Sequence, residues 1–219
     1  MVVPVVVVED HTLLAQSLAL VLRHSGRPVT LLDGTGDVVA LASQVPPGTV
    51  LLDLDLGGDR RGDDLVAPLR AAGHTVVVVT GATDEARLGG CLLAGAVAVL
   101  DKAVPLDVLV DAVGRAEAGA PVMAAERREH LVRVARRARE EAAAARAPFD
   151  RLTPGEADVL EAVVLGHRAA DIARQRVVSV ATVRAQVRAV LTKLGVGSQL
   201  EAAALAHRSG WWGRRSGDG

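Results

Sequence analysis

Aromatic side chains are almost missing from these 219 residues, which include one Phe, two Trp and no Tyr. Any core must then be aliphatic, packed from Val, Leu and Ala. Hydrophobic residues make up 50% of the chain, enough to fill such a core, which excludes wholesale disorder. Cys91 is the only cysteine. An intrachain disulfide framework is therefore excluded, and a reducing compartment is expected. No apolar run approaches the roughly 20 residues of a membrane-spanning helix, and no basic region precedes the apolar N-terminal stretch. The expectation is a soluble, cytoplasmic protein with no membrane partner.

Excess charge is also lacking, with a formal net of −1, but this near-neutrality conceals a division. Residues 1–120 hold 15 Asp and Glu against 8 Lys and Arg, a net of −7, whereas residues 121–219 hold 11 against 17, a net of +6. The length suits one large domain or two modest ones. An acidic half joined to a basic half suggests two domains with different partners, the basic one meeting nucleic acid. A chance split of solvated surface charge is the plainer reading, but the motifs divide at the same place.

In the acidic half, short apolar runs end repeatedly in polar residues. Val5 to Val8 runs into Glu9 and Asp10, Val29 to Leu32 into Asp33, and Val50 to Leu52 into Asp53. Val76 to Val79 ends at Thr80, and Ala96 to Leu100 ends at Asp101 and Lys102. Continuous runs of this length read as fully buried strands of a parallel sheet. Between them, helices are predicted near residues 13–22, 37–43, 65–72, 86–94 and 106–118. Five strands alternating with five helices give a parallel sheet covered on both faces. Right-handed crossovers bring every strand's carboxyl end to one rim, where such sheets place their chemistry. That rim collects Glu9, Asp10, Asp53, Thr80 and Lys102.

Three carboxylates crowded together repel, and the usual remedies are a raised pKa or a bound cation. With hard oxygen ligands and no His or Cys cluster, Mg²⁺ is the natural ion. A carboxylate nucleophile, a divalent cation, a lysine and a hydroxyl together describe aspartyl phosphate chemistry. Asp53 would attack phosphorus, while Lys102 and Thr80 would hold phosphoryl oxygens. His11 reads as a helix-start residue rather than a ligand. Asp59, Asp63 and Asp64 read as a solvated loop with an N-cap, and Cys91 as core packing.

Taken together, residues 1 to about 120 resemble a response-regulator receiver domain. The resemblance implies Asp53 as phosphoacceptor, Glu9 and Asp10 as metal-binding acids, and the backbone carbonyl of Asp55 as a further metal ligand. It also implies Thr80 as the switch hydroxyl and Lys102 as the phosphate-binding lysine. Val99 stands where that family usually has an aromatic switch residue, Ala103 where it has proline, and Leu56-Gly57 where it has Met-Pro. These departures leave the phosphorylation chemistry in place and bear on the threonine–aromatic coupling.

Residues 121–146 are rich in Ala, Arg and Glu with few large apolar residues, which predicts a semi-rigid helical linker ended by Pro148. From Arg151 the pattern changes. Thr153, Pro154 and Glu156 make a capping box with a first-turn proline, and Gly166 stops that helix. A short helix over Ala169–Gln175 and a tight turn lead to Ser179, which caps a longer helix ending at Leu194 before Gly195. Two helices across a short turn describe a helix-turn-helix. Val183, Val187, Val190, Leu191 and Leu194 fall on one face of the longer helix. Arg184 and Arg188 lie on the other, near Ala181, Ala185 and Thr192, with Gln186 and Lys193 on the flank, and Thr182 joins Arg184, Ala185, Gln186, Arg188 and Lys193 in the candidate DNA-binding set. Small residues permit close approach to bases, and arginine bonds phosphates or the guanine edge. An ordinary amphipathic helix with a solvated basic face is the competing reading at this level.

Leu152, Thr153, Glu156, Val159, Leu160, Gly166, Ile172, Ala173, Ser179, Thr182, Val183, Leu191, Lys193, Leu194, Gly195 and Val196 match the effector-domain pattern of the NarL/LuxR family, which residues 151 to about 208 resemble. The resemblance implies a four-helix domain whose third helix reads the DNA major groove and whose fourth, about Gln199 to His207, helps dimerise. Gly155, Gln186 and Gln199 depart from the residues usual there. The tail from Trp211 has no readable role beyond packing of its tryptophans on the last helix.

The expected organisation is an α/β doubly wound, flavodoxin-like receiver with a five-stranded parallel sheet over 1–120, a helical linker over 121–150, an all-α helix-turn-helix domain over 151–210 and a tail over 211–219. The expected function is that of a two-component transcription regulator, not an enzyme. A histidine kinase would phosphorylate Asp53, the chain would form a homodimer, and paired recognition helices would bind double-stranded DNA. One alternative is an atypical regulator that binds DNA without phosphorylation. Another is a phosphatase of the haloacid dehalogenase type, suggested by Asp53-Leu54-Asp55 but opposed by the order of the motifs and the missing cap domain.

Overall fold

A computed structural model describes residues 3–57 and 61–211. The expectations for Asp59 and for the tail beyond Trp211 lie outside the described residues. The chain forms two compact units, residues 1–138 and 139–219.

The first unit is a parallel sheet of β1 (Val5–Val8), β2 (Val29–Leu32), β3 (Thr49–Leu52), β4 (Thr75–Thr80) and β5 (Ala98–Asp101), in the order β2-β1-β3-β4-β5. Its helices are α1 (Thr12–His24), α2 (Val38–Ala42), α3 (Val66–Ala71), α4 (Glu85–Leu93) and α5 (Leu106–Glu117). Alternating strand residues point to opposite faces. Val6, Val8, Val50, Leu52, Val76 and Val78 pack under α2, α3 and α4. Val5, Val7, Leu51, Val77 and Val79 pack under α1 and α5. Helices thus cover both faces of an aliphatic core, as the apolar runs require.

Small shifts from the expected elements have local causes. β5 starts at Ala98 because Ala96 closes the turn after α4, its N–H donating to the Cys91 carbonyl at 3.0 Å. Residues 62–64, expected as loop, join Leu65 in a 3-10 turn that leads into α3. α6 (Ala125–Arg146) is more than a linker, since Leu131 and Ala135 are buried. Leu131 joins the core beneath α4, and Arg128 donates to the Val97 carbonyl at 2.8 Å. Gly89 of α4 makes this possible, because a Cβ there would lie 2.0 Å from the Leu131 carbonyl oxygen.

The second unit holds α7 (Pro154–Val164), α8 (Ala169–Gln175), α9 (Val180–Leu194) and α10 (Gln199–Arg208). The capping box of Thr153 and Glu156 is formed at the start of α7, and Ser179 caps α9. Gly195 takes the left-handed conformation that ends α9, with φ of 69°. Val159, Ile172, Val183 and Val187 lock α7, α8 and α9 together. Phe149, Leu160, Val190, Leu194 and Ala206 form a second cluster, where Trp211 stacks on Phe149 with centroids 5.3 Å apart.

Candidate functional site

Strand register builds the acidic rim. Val8 and Leu52 are partners in neighbouring strands, so the residues that follow them, Glu9 and Asp53, leave the sheet side by side. Both are buried. Carboxylate oxygens of Glu9, Asp10 and Asp53 and a ring nitrogen of His11 lie within 4.8 Å of one another. Lys102 enters from the end of β5, its Nζ 2.8 Å from Asp53 Oδ2, 2.9 Å from Glu9 Oε1 and 2.7 Å from Glu9 Oε2. Burial works against the Lys102 ammonium, but its hydrogen bonds to Asp53 and Glu9 prevail and raise its pKa above the ordinary lysine value.

Asp53 Oδ1 is buried and has no hydrogen-bond partner among the described residues. A buried carboxylate oxygen without a donor is costly, and an oxygen-seeking cation would satisfy it. Hard carboxylate donors of this kind fit Mg²⁺. Asp55 is placed differently, with its side chain exposed and outside this cluster. Gly57 lies against the acids, with φ of 72° and a hypothetical Cβ 3.1 Å from Asp10 Oδ2. A glycine answers both conditions.

His11 occupies the start of α1 as expected, and its backbone N–H donates to Glu9 Oε1 at 3.0 Å. Its ring also sits 2.8 Å from both Glu9 and Asp10, a placement that the sequence pattern does not reveal. The hydrogen bond to Glu9 and the charge of Asp10 raise its pKa. Thr80 is buried at the end of β4, its Oγ1 accepting from the Ala82 N–H at 3.2 Å. Thr80, Leu88, Val99, Arg127 and Leu131 line a cavity of about 230 Å³.

Two further residues carry no sequence signal of their place here. Gly62 crosses directly over the residues that follow β3, where a Cβ would sit 2.1 Å from the Asp53 carbonyl oxygen. Arg87 of α4 spreads its guanidinium over the loop after Asp53. It donates to Asp55 Oδ1 at 2.7 Å, to the Leu54 carbonyl at 2.8 Å and to Asp63 Oδ1 at 2.9 Å. Asp63 is therefore ion-paired, not simply solvated as expected. Burial would raise its pKa, but Arg61 and Arg87 overcome this and lower it. The only hint in the sequence is a loop with more acids than nearby cations.

On α9, Thr182, Arg184, Ala185 and Arg188 are exposed together, and Val183, Val187, Val190 and Leu194 are buried opposite them. Thr182 also serves the helix cap, its hydroxyl 2.8 Å from Ser179 Oγ. The two flank residues turn away from this face. Gln186 has a buried Oε1, and its Nε2 lies 3.7 Å from the position a Cβ on Gly155 would take. Lys193 pairs with Glu156 of the capping box at 2.5 Å. Both are expected on the flank of the DNA-facing side, and in the free chain both also make contacts at the α7 side of α9. Lys193 and then the Thr153 N–H hold the Glu156 carboxyl below its ordinary pKa.

Residues 5–114 match the family described as the response regulator receiver domain, and residues 150–206 match the luxR family of bacterial regulatory proteins. The chain is 30% identical over 205 residues to the nitrate/nitrite response regulator protein NarP of Escherichia coli, covering 92% of this chain and 93% of that protein. It is 23% identical over 209 residues to the transcriptional regulatory protein LiaR of Bacillus subtilis, covering 94% and 97%. The fold is shared with the RcsB response regulator of Salmonella typhimurium, with a TM-score of 0.51 at 18% identity over 94% of this chain and 98% of that one. A receiver domain protein from Methanospirillum hungatei matches 54% of this chain and 96% of its own, also at 0.51 and 23% identity. Among the described residues no helix is long and apolar enough to cross a membrane.

Proposed function

Because the chain belongs to the NarL/LuxR family of response regulators, a receiver domain joined to a LuxR-type DNA-binding domain, we propose that Asp53 accepts a phosphoryl group from a histidine kinase and that this controls DNA binding by α9. The observation that carries the reading is the unpartnered Asp53 Oδ1 between two further acids, with Lys102 on the other oxygen. That atom is buried enough to be selective and has its lone pairs free. An O–P bond would form at Asp53 as the P–N bond of a phosphohistidine breaks, the electron pair leaving with the imidazole.

Glu9, Asp10, Asp53 and the backbone carbonyl of Asp55 would hold Mg²⁺, which when bound neutralises charge between carboxylate and phosphoryl oxygens. Lys102 stabilises the negative charge that builds up, and the Thr80 hydroxyl stands ready to bond a phosphoryl oxygen. Thr182, Arg184, Ala185 and Arg188 would face the major groove, the two arginines bonding guanine edges or phosphates. A homodimer would present two such faces to paired half-sites, and the reaction belongs in the cytoplasm, where kinase and DNA meet. A phosphorylation-independent mode is the second reading, favoured by the half-buried Val99 standing beside Thr80 where the family usually has an aromatic switch residue.

One experiment separates the two. The full chain is incubated with acetyl phosphate and Mg²⁺, followed by intact mass and by binding to genomic DNA fragments. The proposal expects one added phosphoryl group on the wild type, none on Asp53→Asn, and altered DNA binding on phosphorylation. No added mass on a wild type that still binds DNA establishes the second reading instead.

A further inference from the structure

We infer that Arg87 is a positioning residue that ties the loop after Asp53 to α4, and through α4 to α6, so that a change at Asp53 reaches the helix leading out of the receiver. This rests on the phosphorylation reading above for its signal, but the mechanical tie itself stands on contacts already present. Asp55 and Leu54 are two residues and one residue from Asp53, and one guanidinium holds the side chain of the first and the carbonyl of the second, at 2.7 and 2.8 Å. The same group bonds Asp63 Oδ1 through Nε at 3.2 Å and Nη2 at 2.9 Å, so it spans both ends of the loop. Bonds between guanidinium and carboxylate are the stronger and more directional kind. Any displacement of the loop must either break this fork or carry α4 with it.

The other side of α4 is clamped to α6. Glu85 Oε1 accepts from Arg127 at 2.5 Å, and its Oε2 lies 2.8 Å from His130 Nε2. Gly89 admits the backbone of α6 so closely that a Cβ would lie 2.0 Å from the Leu131 oxygen and 2.8 Å from the Ala135 Cβ. Close packing of this sort is not continuously deformable, so the two helices shift as a pair. The path through Thr80 and Val99 has no such fork: both residues border a cavity of about 230 Å³, and Val99 meets Leu88 and Leu131 through apolar packing. Charge-assisted hydrogen bonds are the more directional link of the two.

Hydrogen exchange on the full chain tests the inference, with intact mass run in parallel. Without phosphodonor, Arg87→Met is expected to accelerate exchange about five- to tenfold in the segments carrying Leu54–Gly57, Arg61–Leu65 and the first half of α6. Protection in β1 and β3 should be unchanged, showing that the fold survives. With acetyl phosphate and Mg²⁺, phosphorylation should change exchange in α6 of the wild type but not of Arg87→Met, although both gain the same mass. Arg87→Lys, which keeps the charge without the fork, should recover only part of the response. Unaltered exchange in loop and α6 of unphosphorylated Arg87→Met, or an equal phosphorylation response in both proteins, overturns the inference. A wild type that gains no mass removes the phosphorylation reading instead, and the comparison without phosphodonor then decides the role of Arg87.

Discussion

At the residue scale, two glycines matter for what they leave out. Gly62 passes over the Asp53 carbonyl at a distance where a Cβ would meet backbone atoms at 2.1 and 2.7 Å. Backbone cannot swing aside as a side-chain tip can, so Gly62→Ala must move the loop that flanks Asp53. The expected loss is about 1–3 kcal/mol, seen as a lower urea midpoint at unchanged slope, with slower uptake of phosphoryl from acetyl phosphate. A midpoint and uptake rate equal to those of the wild type would show that the crossing is looser than described. The acids themselves are legible in the amino-acid sequence, because an apolar run that stops at a carboxylate is a sharp local signal. Glu9, Asp10 and Asp53 stand out in that way, and Thr80 and Lys102 by the same strand-end position. Arg87 and Gly62 do not, since their meaning depends on which backbone lies across from them, and neither spacing nor residue type records that.

At the element scale, helix ends are more legible than helix flanks. The Thr153–Glu156 box and the Ser179 and Gly195 caps involve residues three or four apart, so local sequence determines them. Gln186 and Lys193 fall toward the DNA face by their angle around the helix alone. That angle is ambiguous, and α7 lies close to both, with the Gln186 Nε2 near Gly155 and Lys193 paired with Glu156. The exposed set on α9 is correspondingly smaller. Arg184→Ala or Arg188→Ala should weaken specific binding by about 1–3 kcal/mol if the arginine reads a base, or reduce the salt slope by about one if it meets a phosphate. Circular dichroism should stay the same. Unchanged affinity and salt dependence in both variants would remove α9 as the reading helix. The expected linker shows the same limit of local reading. Few large apolar residues suggest a bare spacer, yet a single Leu131 and the small Ala135 suffice to seat α6, because Gly89, more than 30 residues away, lets the helices come close.

At the scale of the whole molecule, the division into residues 1–138 and 139–219 predicts thermal unfolding that is not one two-state step. Scanning calorimetry should give a calorimetric enthalpy larger than the van't Hoff value. Acid should act on the second unit through Glu156. Its carboxyl is held below the ordinary value of 4.5, chiefly by Lys193. A depressed folded pKa contributes stability that is fully present above the unfolded value and is lost as pH falls through the folded one. The transition of the second unit should therefore move to lower temperature as pH drops below 4.5. Glu156→Gln should lower that transition at neutral pH and flatten its acid shift. An acid shift as steep in Glu156→Gln as in the wild type would assign the effect elsewhere.

The opposed charges of the two halves, acidic before residue 120 and basic after it, are the first sign of two units. The residues that join them are better understood as part of the first unit than as neutral spacer. The notch at Gly89 extends this to the making of chimaeras. A receiver carrying any side chain at that position has no seat for this α6, and this receiver offers an open notch to a foreign helix that does not fill it. Exchanges of effector domains within the family would need to keep α4 and the first half of α6 from one parent, with the junction placed beyond Ala138. A helix that looks like the natural place to cut is, over its first half, part of the receiver.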